Sequence, residues 1–513
     1  MLRNFSKIPL IGPIRNRHVS KVLNETLLTP LSTPIPGFEN YKTVTAGETI
    51  ELFNSKITKL SNGLTVATER AYGTFCTIGV AVNSGCRYET FYPQGTTHLL
   101  QKLAFSSSLN YSDPGETEAL ISRGGALLDC QSTRDCFLYA SSCFQKGQED
   151  ILSIIADTLH RPCLEDHELE GAKDIAASEL NFLLRNPDPE PLINDWLHMA
   201  AFKLNTLGIS KFANGDSVDK ITKQDLYTYM SQYHAPGNMV IAGVGVDHDS
   251  FVASVNANFV EKVPIWESDK SLLKDKVPRL DDSFSQYTGG SIYKEADLSN
   301  KGLSIVEFPE LTHFALGFDG TSFKSKDFVV ACVMQSILGG GKSFSAGGPG
   351  KGMYTRLYMN VLRYNGSMYN AQAFNYSYAD GGAFCIQIGD NPNNMTTAVD
   401  YTVNEFIQLT RGIPDDELSR AKHLLKSQLL MNLEQRPVMF EDLARQVLGH
   451  GVRKSPLEYI REIEAVTSED IKRLMENMLN TIPTVVAYGN LKNMPSYEDI
   501  CARIQAGRTH YKK

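Results

Sequence analysis

The stretch Ile221-Thr-Lys-Gln-Asp-Leu226, followed by Met230, returns as Val466-Thr-Ser-Glu-Asp-Ile471, followed by Met475. The two copies lie 245 residues apart. Three more pairs repeat in the same order at offsets between 239 and 249: Gly63-Leu64 with Gly302-Leu303, Asp166–Lys173 with Asp415–Lys422, and Val240–Gly245 with Val485–Gly489. Four matches at nearly one offset indicate that the chain contains two copies of one structural unit.

Each copy is expected to mix strands with helices. In the first copy, Asn62-Gly63 is typical of a hairpin turn, and Leu99, Leu100 and Leu103 have helical spacing. The expected elements are a hairpin at 58–66, strands at 75–82, 137–144 and 239–246, and helices at 97–105, 151–159, 168–184 and 220–233. We therefore predict the α+β fold class, with two homologous domains that each contain strands first, then a long helix pair and a closing strand.

A stretch rich in proline, glycine and charge separates the copies. Residues 261–299 include Pro264, Pro278 and Gly289-Gly290, a composition typical of a linker. The predicted organisation is an N-terminal extension at 1–35, a first domain at 36–260, the linker at 261–299 and a second domain at 300–513. Two similar domains joined by one linker can close on each other like a clamp and leave a cavity between them.

The composition bounds the class of protein. A chain of 513 residues is too long for a single core, and 42% hydrophobic with 21% charged residues is ordinary for a soluble protein. The net charge of −8 argues against a general nucleic-acid binder, and no apolar run reaches the ~18 residues of a membrane span. The nine cysteines form no C-x-x-C pair, and Cys130, Cys136 and Cys143 are expected to be buried strand thiols in a reducing compartment.

The first 24 residues have a composition of their own. They contain Arg3, Lys7, Arg15, Arg17 and Lys21, and the first acidic residue is Glu25. An acid-poor, arginine-bearing start without a continuous apolar core is typical of a mitochondrial presequence, and the alternative is a disordered basic tail.

Seven of the fourteen residues from Gly339 to Gly352, the glycine segment, are glycine. This density argues against a helix or a regular strand, although apolar sequence flanks the segment at 329–338 and 354–361. Three interpretations compete: a phosphate cradle, a solvated linker, and a mobile flap that handles an extended ligand. The phosphate-binding motif would need a glycine where the chain has Ser336.

His98-Leu-Leu-Gln-Lys102 falls on a predicted helix. The inverted zinc-peptidase motif H-x-x-E-H places two histidine ligands on one helix face, with a glutamate that activates water. Gln101 replaces that glutamate and cannot take a proton from water, and Lys102 replaces the second histidine and has no lone pair for a metal. The alternative for His98 is an ordinary half-buried histidine on a leucine-rich helix.

From about Leu52 to the C-terminus the chain resembles the pitrilysin-type metallopeptidase family. In that family a glutamate 77 positions after the second histidine is the third ligand, which points to Glu179 in this chain. The segments Asn186–Pro191 and Ala242–Val246 carry the resemblance as well. The glycine segment is its most specific part, because related respiratory-chain core subunits share the fold but lack the extended loop.

The resemblance implies a catalytically degenerate subunit that works with a catalytic β-subunit as a heterodimer in the mitochondrial matrix. The zinc is expected on the β-subunit, and this chain is expected to bear no catalytic residue, metal or cofactor; His98, Gln101, Lys102 and Glu179 are vestigial positions. The expected ligands are the presequence peptides of imported proteins, which are basic, amphipathic and bound in an extended form. The residues assigned to substrate binding are Gly339, Gly340, Gly341, Lys342, Ser343, Phe344, Ser345, Gly347, Gly348, Gly350, Gly352, Met353 and Asp380.

The charges of the expected site are of both signs. Lys342 and Lys351 suit a basic ligand poorly, and we expect them to face solvent or acidic groups of a partner. Asp380 and Glu310 are candidates for contacts to ligand arginines, and the alternative for both is solvated surface.

Three hypotheses for the function remain. The first is a non-catalytic substrate-binding subunit of a processing peptidase. The second is a core structural subunit of the respiratory cytochrome bc1 complex, against which the glycine segment argues. The third is a metallopeptidase active by itself, against which Gln101 and Lys102 argue.

Overall fold

The computed structural model describes residues 54–186, 188–203, 205–299, 309–342 and 352–509. Its N-terminal domain is built on a six-stranded sheet with the strand order β1-β2-β6-β3-β5-β4. The strands are β1 (Ser55–Lys59), β2 (Thr65–Glu69), β3 (Phe75–Val82), β4 (Leu127–Ser132), β5 (Phe137–Phe144) and β6 (Met239–Val244). Pairing is antiparallel except between β2 and β6, which run parallel.

The C-terminal domain is built on a second six-stranded sheet with the order β7-β12-β8-β11-β10-β9. Its strands are β7 (Gly290–Glu295), β8 (Thr312–Asp319), β9 (Gly340–Lys342), β10 (Asn370–Ser377), β11 (Gly382–Asp390) and β12 (Thr484–Gly489). Here too a single pair, β7 with β12, runs parallel. The five strands β7-β12-β8-β11-β10 therefore reproduce β2-β6-β3-β5-β4 in order and direction, and the predicted α+β repeat is confirmed.

The helices flank these sheets. Those of the N-terminal domain are α1 (Thr96–Lys102), α2 (Pro114–Arg123), α3 (Gln148–His160), α4 (Asp166–Arg185), α5 (Glu190–Ala201), α6 (Gly215–Val218), α7 (Lys223–Tyr233), α8 (His248–Val255) and α9 (Ile265–Ser268). Those of the C-terminal domain are α10 (Phe328–Leu338), α11 (Met395–Leu409), α12 (Asp415–Leu433), α13 (Arg436–His450), α14 (Pro456–Ala465), α15 (Ser468–Leu479) and α16 (Tyr497–Thr509). Among the residues that the structure describes, none of the helices combines the length and apolar character needed to cross a bilayer.

The repeated sequence that reveals the two copies forms the same helix start in both domains. In α7 the Asp225 amide donates to Thr222 Oγ1 at 3.3 Å while the Thr222 amide donates to Asp225 Oδ2 at 2.9 Å. In α15 the same reciprocal bonds join Thr467 and Asp470, at 3.2 and 3.0 Å. Each of these reciprocal pairs, known as a capping box, satisfies N–H groups that would otherwise have no partner at the start of the helix.

The two domains exchange equivalent helices. One face of the first sheet, including Ala67, Ala81 and Ala242, packs against Phe440 and other apolar residues of α13 from the C-terminal domain. Reciprocally, α5 of the N-terminal domain packs on the second sheet through Leu192, Ile193, Trp196 and Leu197. The helices of each domain cover the other face of its own sheet. The central strands β3 and β8 are therefore buried on both faces, along all but one terminal residue of each strand.

The linker prediction needs a correction. Residues 290–295, inside the predicted linker, are β7 and pair in parallel with β12. The glycines and charges of this stretch favour an irregular linker, but β7 is the outermost strand of its sheet, and an edge strand tolerates exposed polar residues. The matched pair Gly302-Leu303 lies outside the described residues.

Candidate functional site

The degenerate metal motif brings three side chains together between α1 and α4. Glu179 Oε2 of α4 lies 3.0 Å from His98 Nε2 and 2.5 Å from Lys102 Nζ. The His98 side chain is 2% exposed, whereas those of Lys102 and Glu179 are 20% and 35% exposed. The structure thus joins three of the four predicted vestigial positions.

The hydrogen bonds of His98 indicate which of its ring nitrogens carries the proton. The Ala213 amide donates to Nδ1 at 3.3 Å, so this nitrogen is the acceptor of a neutral imidazole and Nε2 is the donor to Glu179. The hydrogen bond from His98 lowers the pKa of Glu179 to about 2, with a further contribution from Lys102 and against the effect of burial. The carboxylate is therefore ionised at neutral pH.

Gln101, the fourth vestigial position, uses its side-chain amide in a contact outside this cluster. Its side-chain nitrogen donates to the Cys130 carbonyl of β4 at 3.2 Å. A glutamine amide in this bond holds α1 against the edge of the sheet and has no basic atom with which to activate water.

These residues do not fit a catalytic zinc ion. Such a site needs three protein ligands, and among the four vestigial positions only His98 and Glu179 are of the residue types that bind zinc. The Lys102 ammonium contacts the very oxygen that a metal would use, and its charge would repel the ion. Within the described ranges, no group of three or more histidine, cysteine, aspartate or glutamate side chains has a metal-binding arrangement.

Glu89 positions α1, and the sequence patterns did not reveal it. It lies on the 3₁₀ turn Cys86–Phe91, where its two oxygens accept hydrogen bonds from the Gly95 amide at 2.7 Å and from the Thr97 amide at 2.7 Å. Burial raises the pKa of Glu89 to about 7, against these hydrogen bonds, which lower it. An acid seven residues before a helix start is too common a pattern to have signalled this role.

The glycine segment begins as a strand, which corrects the expectation that its glycine content excludes one. Gly340, Gly341 and Lys342 form β9 and pair with β10. Glycine is required because Gly340 has φ +90° and a Cβ there would lie 2.0 Å from the Ala371 carbonyl oxygen. Gly340 therefore packs tightly onto the partner strand, a use of glycine that composition alone does not distinguish from a loop.

The middle of the glycine segment, including Ser343, Phe344, Ser345, Gly347, Gly348, Gly350 and Lys351, lies outside the described residues. The description resumes at Gly352, which lies near Leu424 of α12. Met353 and Tyr354 follow with exposed fractions of 40% and 77%.

Lys342 links the glycine segment to the N-terminal domain. Its ammonium lies 2.7 Å from Asp188 Oδ2, in the segment Asn186–Pro191 that also carries the family resemblance. The hydrogen bond that Lys342 donates to the Asp188 carboxylate raises the pKa of Lys342. Instead of facing only solvent or a partner, this lysine thus has an acidic contact within its own chain.

Both carboxylates suggested for ligand arginines already have contacts within the chain. Asp380 pairs with Arg87 and has a side chain only 9% exposed. Glu310 accepts a hydrogen bond from the Asn490 side chain at 3.1 Å. Asp380, a candidate for contacts to arginines of the ligand, is instead paired with an arginine of the N-terminal domain, and its burial also differs from the alternative of a solvated surface residue.

Comparisons with known proteins agree with this geometry. Residues 65–214 match the family model described as insulinase (peptidase family M16), and residues 220–425 match the one described as peptidase M16 inactive domain. The mitochondrial-processing peptidase subunit alpha of Caenorhabditis elegans is 43% identical, covering 91% of this chain and 90% of that protein. The proteins of the same name from Bos taurus and Homo sapiens are each 41% identical, covering 93% and 92% of this chain and 89% and 88% of theirs.

A solved structure shares the fold. A chain of complex III2 from Candida albicans, solved with Inz-5 bound, superposes with a TM-score of 0.70 at 19% identity. The similarity covers 88% of this chain and 99% of that chain, and at this identity it concerns the fold alone.

Proposed function

Since the chain belongs to peptidase family M16, and within it to the mitochondrial-processing peptidase α-subunits, we propose that it is the non-catalytic, substrate-recognition subunit of a heterodimeric processing peptidase. It binds presequences of imported proteins in the mitochondrial matrix, and a β-subunit that holds the zinc ion cleaves them. The contact between Lys102 and Glu179 carries the non-catalytic assignment, because a lysine ammonium takes the position that a catalytic metal would need.

The glycine segment is the proposed contact for the presequence. Its first residues are held by β10 and by Asp188, and its last residue lies near α12, so both ends of the segment have defined positions. The side chain of Met353 is available to cover apolar side chains of an extended ligand. These contacts support a binding role for Gly339–Gly352, and Asp380 is left out of the proposed site because Arg87 occupies it.

A reconstitution assay tests this proposal. Cleavage of a presequence peptide is measured with this chain alone, with a β-subunit alone and with the mixture, and we expect activity only in the mixture. A core subunit of a respiratory complex would not activate the β-subunit, and an active peptidase would cleave by itself.

A loop replacement tests the binding role. Residues 343–351 are replaced by nine serine and alanine residues, which keeps β9 and the chain length intact. We expect the replaced chain to form the heterodimer but to lose at least about tenfold in peptide affinity, equivalent to ~1.4 kcal/mol. Unchanged affinity would exclude the glycine segment as the binding element.

A further inference from the structure

The side chains at the vestigial positions, which do not fit a zinc ion, connect two helices. The ammonium of Lys102 and the imidazole of His98, both from α1, converge on the same oxygen of Glu179 in α4. Two groups at 2.5 and 3.0 Å thus tie one helix to the other through a single carboxylate oxygen. A metal ion bound between the helices would likewise connect His98 of α1 with Glu179 of α4.

A lysine can replace a metal as a link between helices for a simple electrostatic reason. A metal ion in such a site neutralises the carboxylate and fixes it relative to a histidine. An ammonium group also carries a positive charge and has three N–H donors, so it needs no lone pairs from its neighbours. Lys102 is the last residue of α1, four residues after His98, so its side chain extends from the same helix face.

The surroundings favour an internal cation over a bound one. The Lys102 ammonium lies 2.5 Å from the Glu179 oxygen that a metal ion would need. A metal ion at this carboxylate would therefore meet the positive charge of Lys102. The His98 ring is fixed independently by the Ala213 amide and by the edge of the Phe212 ring, with centroids 5.9 Å apart.

We propose that Lys102 replaces the metal ion, because its ammonium links α1 to α4 through Glu179. His98 and Glu179 keep positions from which they could bind zinc, so a single substitution at Lys102 would supply the missing third ligand. The inference concerns this chain alone and does not require a partner subunit. It makes Lys102 a positioning residue of the α1–α4 pair.

The substitution Lys102→His tests the second half of the proposal. It places two histidines four residues apart on α1 opposite Glu179, which is the three-ligand set of a zinc site. Titration calorimetry with Zn²⁺ on the full chain is expected to show about one site per chain in this variant and none in the wild type. The double variant His98→Ala with Lys102→His is the control and should lose the site.

The substitution Lys102→Met tests the first half. We expect its melting temperature to fall by about 2 °C, because Glu179 loses its cationic partner. The matched control is Lys173→Met on α4, which removes an ordinary pair with the exposed Glu170 and should leave the melting temperature unchanged. EDTA should lower the melting temperature of zinc-loaded Lys102→His and leave the wild type unaffected.

Each result decides for or against the proposal. Zinc binding by the wild-type chain, or by the control without His98 as tightly as by Lys102→His, would overturn it. So would a folded Lys102→His chain, checked by circular dichroism, that takes up no zinc. A Lys102→Met chain that melts at the wild-type temperature would show that Lys102 does not link the helices.

Discussion

Arg87 and Asp380 form a two-point ion pair between the two domains, with Nη1 2.8 Å from Oδ1 and Nη2 2.7 Å from Oδ2. The pair also holds the chain that connects the domains, because Arg87 donates to the Ser283 carbonyl and the Ser285 amide donates to Asp380. Both side chains are more than nine-tenths buried. A charge pair buried away from solvent therefore helps to hold the two domains in their relative position.

Breaking this pair should destabilise the protein strongly. Arg87→Met leaves the Asp380 carboxylate buried without its cation, which typically costs about 3–5 kcal/mol. We expect a corresponding fall in the unfolding midpoint in urea. The double variant Arg87→Met with Asp380→Leu should recover much of the loss, because no charge then remains buried. A double variant no more stable than Arg87→Met alone would contradict this account.

The helix exchange makes the first sheet depend on the C-terminal domain. Phe440 of α13 is 1% exposed, and its ring lies so close to Gly79 of β3 that a Cβ there would be 2.7 Å from the ring. Phe440→Ala should cost about 3–5 kcal/mol of unfolding free energy, measured by urea denaturation, through the cavity that it leaves. The control is Leu457→Ala, whose side chain is 58% exposed and should cost little.

Much of the fold was predictable from local patterns. The predicted strands at 75–82 and 137–144 match β3 and β5 at both ends, because buried strands with turn residues at their ends have a clear signature. The repeat was visible because capping residues and strand ends depend on local geometry, and both copies need the same geometry.

The rest depends on contacts that no local pattern contains. The exchange of α5 and α13 between the domains is decided by which surfaces meet in space. Asp380 looked like an exposed carboxylate because its partner, Arg87, is 293 residues away in the chain. In the candidate site, the family resemblance assigned His98 and Glu179 to ligand positions, but only the structure shows that Lys102 supplies the charge opposite Glu179.

A substitution at Gly340 should disturb the start of the glycine segment. Gly340→Ala places a Cβ within 2.0 Å of the Ala371 carbonyl oxygen at a φ of +90°, so β9 must shift away from β10. We expect weaker binding of a presequence peptide to the heterodimer, by at least about tenfold, in a fluorescence anisotropy titration. The matched control is Gly366→Ala, because a Cβ at Gly366 meets no atom within 4 Å.

Cys76 and Cys143 should form a disulfide under oxidation. They lie directly opposite each other on β3 and β5, with sulfur atoms 3.6 Å apart, and closing the bond needs a movement to about 2.05 Å. Diamide, which takes up the two thiol hydrogens, should link the two peptides, as detected by mass spectrometry after digestion without reductant. Cys143→Ser should abolish the link, whereas Cys163→Ser should not affect it.

The stability should fall on acidification because His234 is buried in its neutral form. Burial, with a smaller contribution from His160, lowers the pKa of His234 to about 3, and the ring packs edge-on against Phe137 and Tyr139. Below pH 6.5 the unfolded chain takes up a proton at this histidine that the folded chain does not, so the stability decreases as the pH falls toward 3. Between pH 7 and pH 5 this site should cost about 2 kcal/mol.

The substitution His234→Leu isolates this contribution from those of other groups. The variant should lose about 2 kcal/mol less unfolding free energy than the wild type between pH 7 and pH 5, measured by urea denaturation at both values. His167→Leu, at an exposed position of α4, is the control and should follow the wild type. Stability depends on pH only where the folded and unfolded states differ in proton uptake. If the His234→Leu variant and the wild type lost equal unfolding free energy, His234 would take up its proton as readily in the folded protein as in the unfolded chain, which would contradict this prediction.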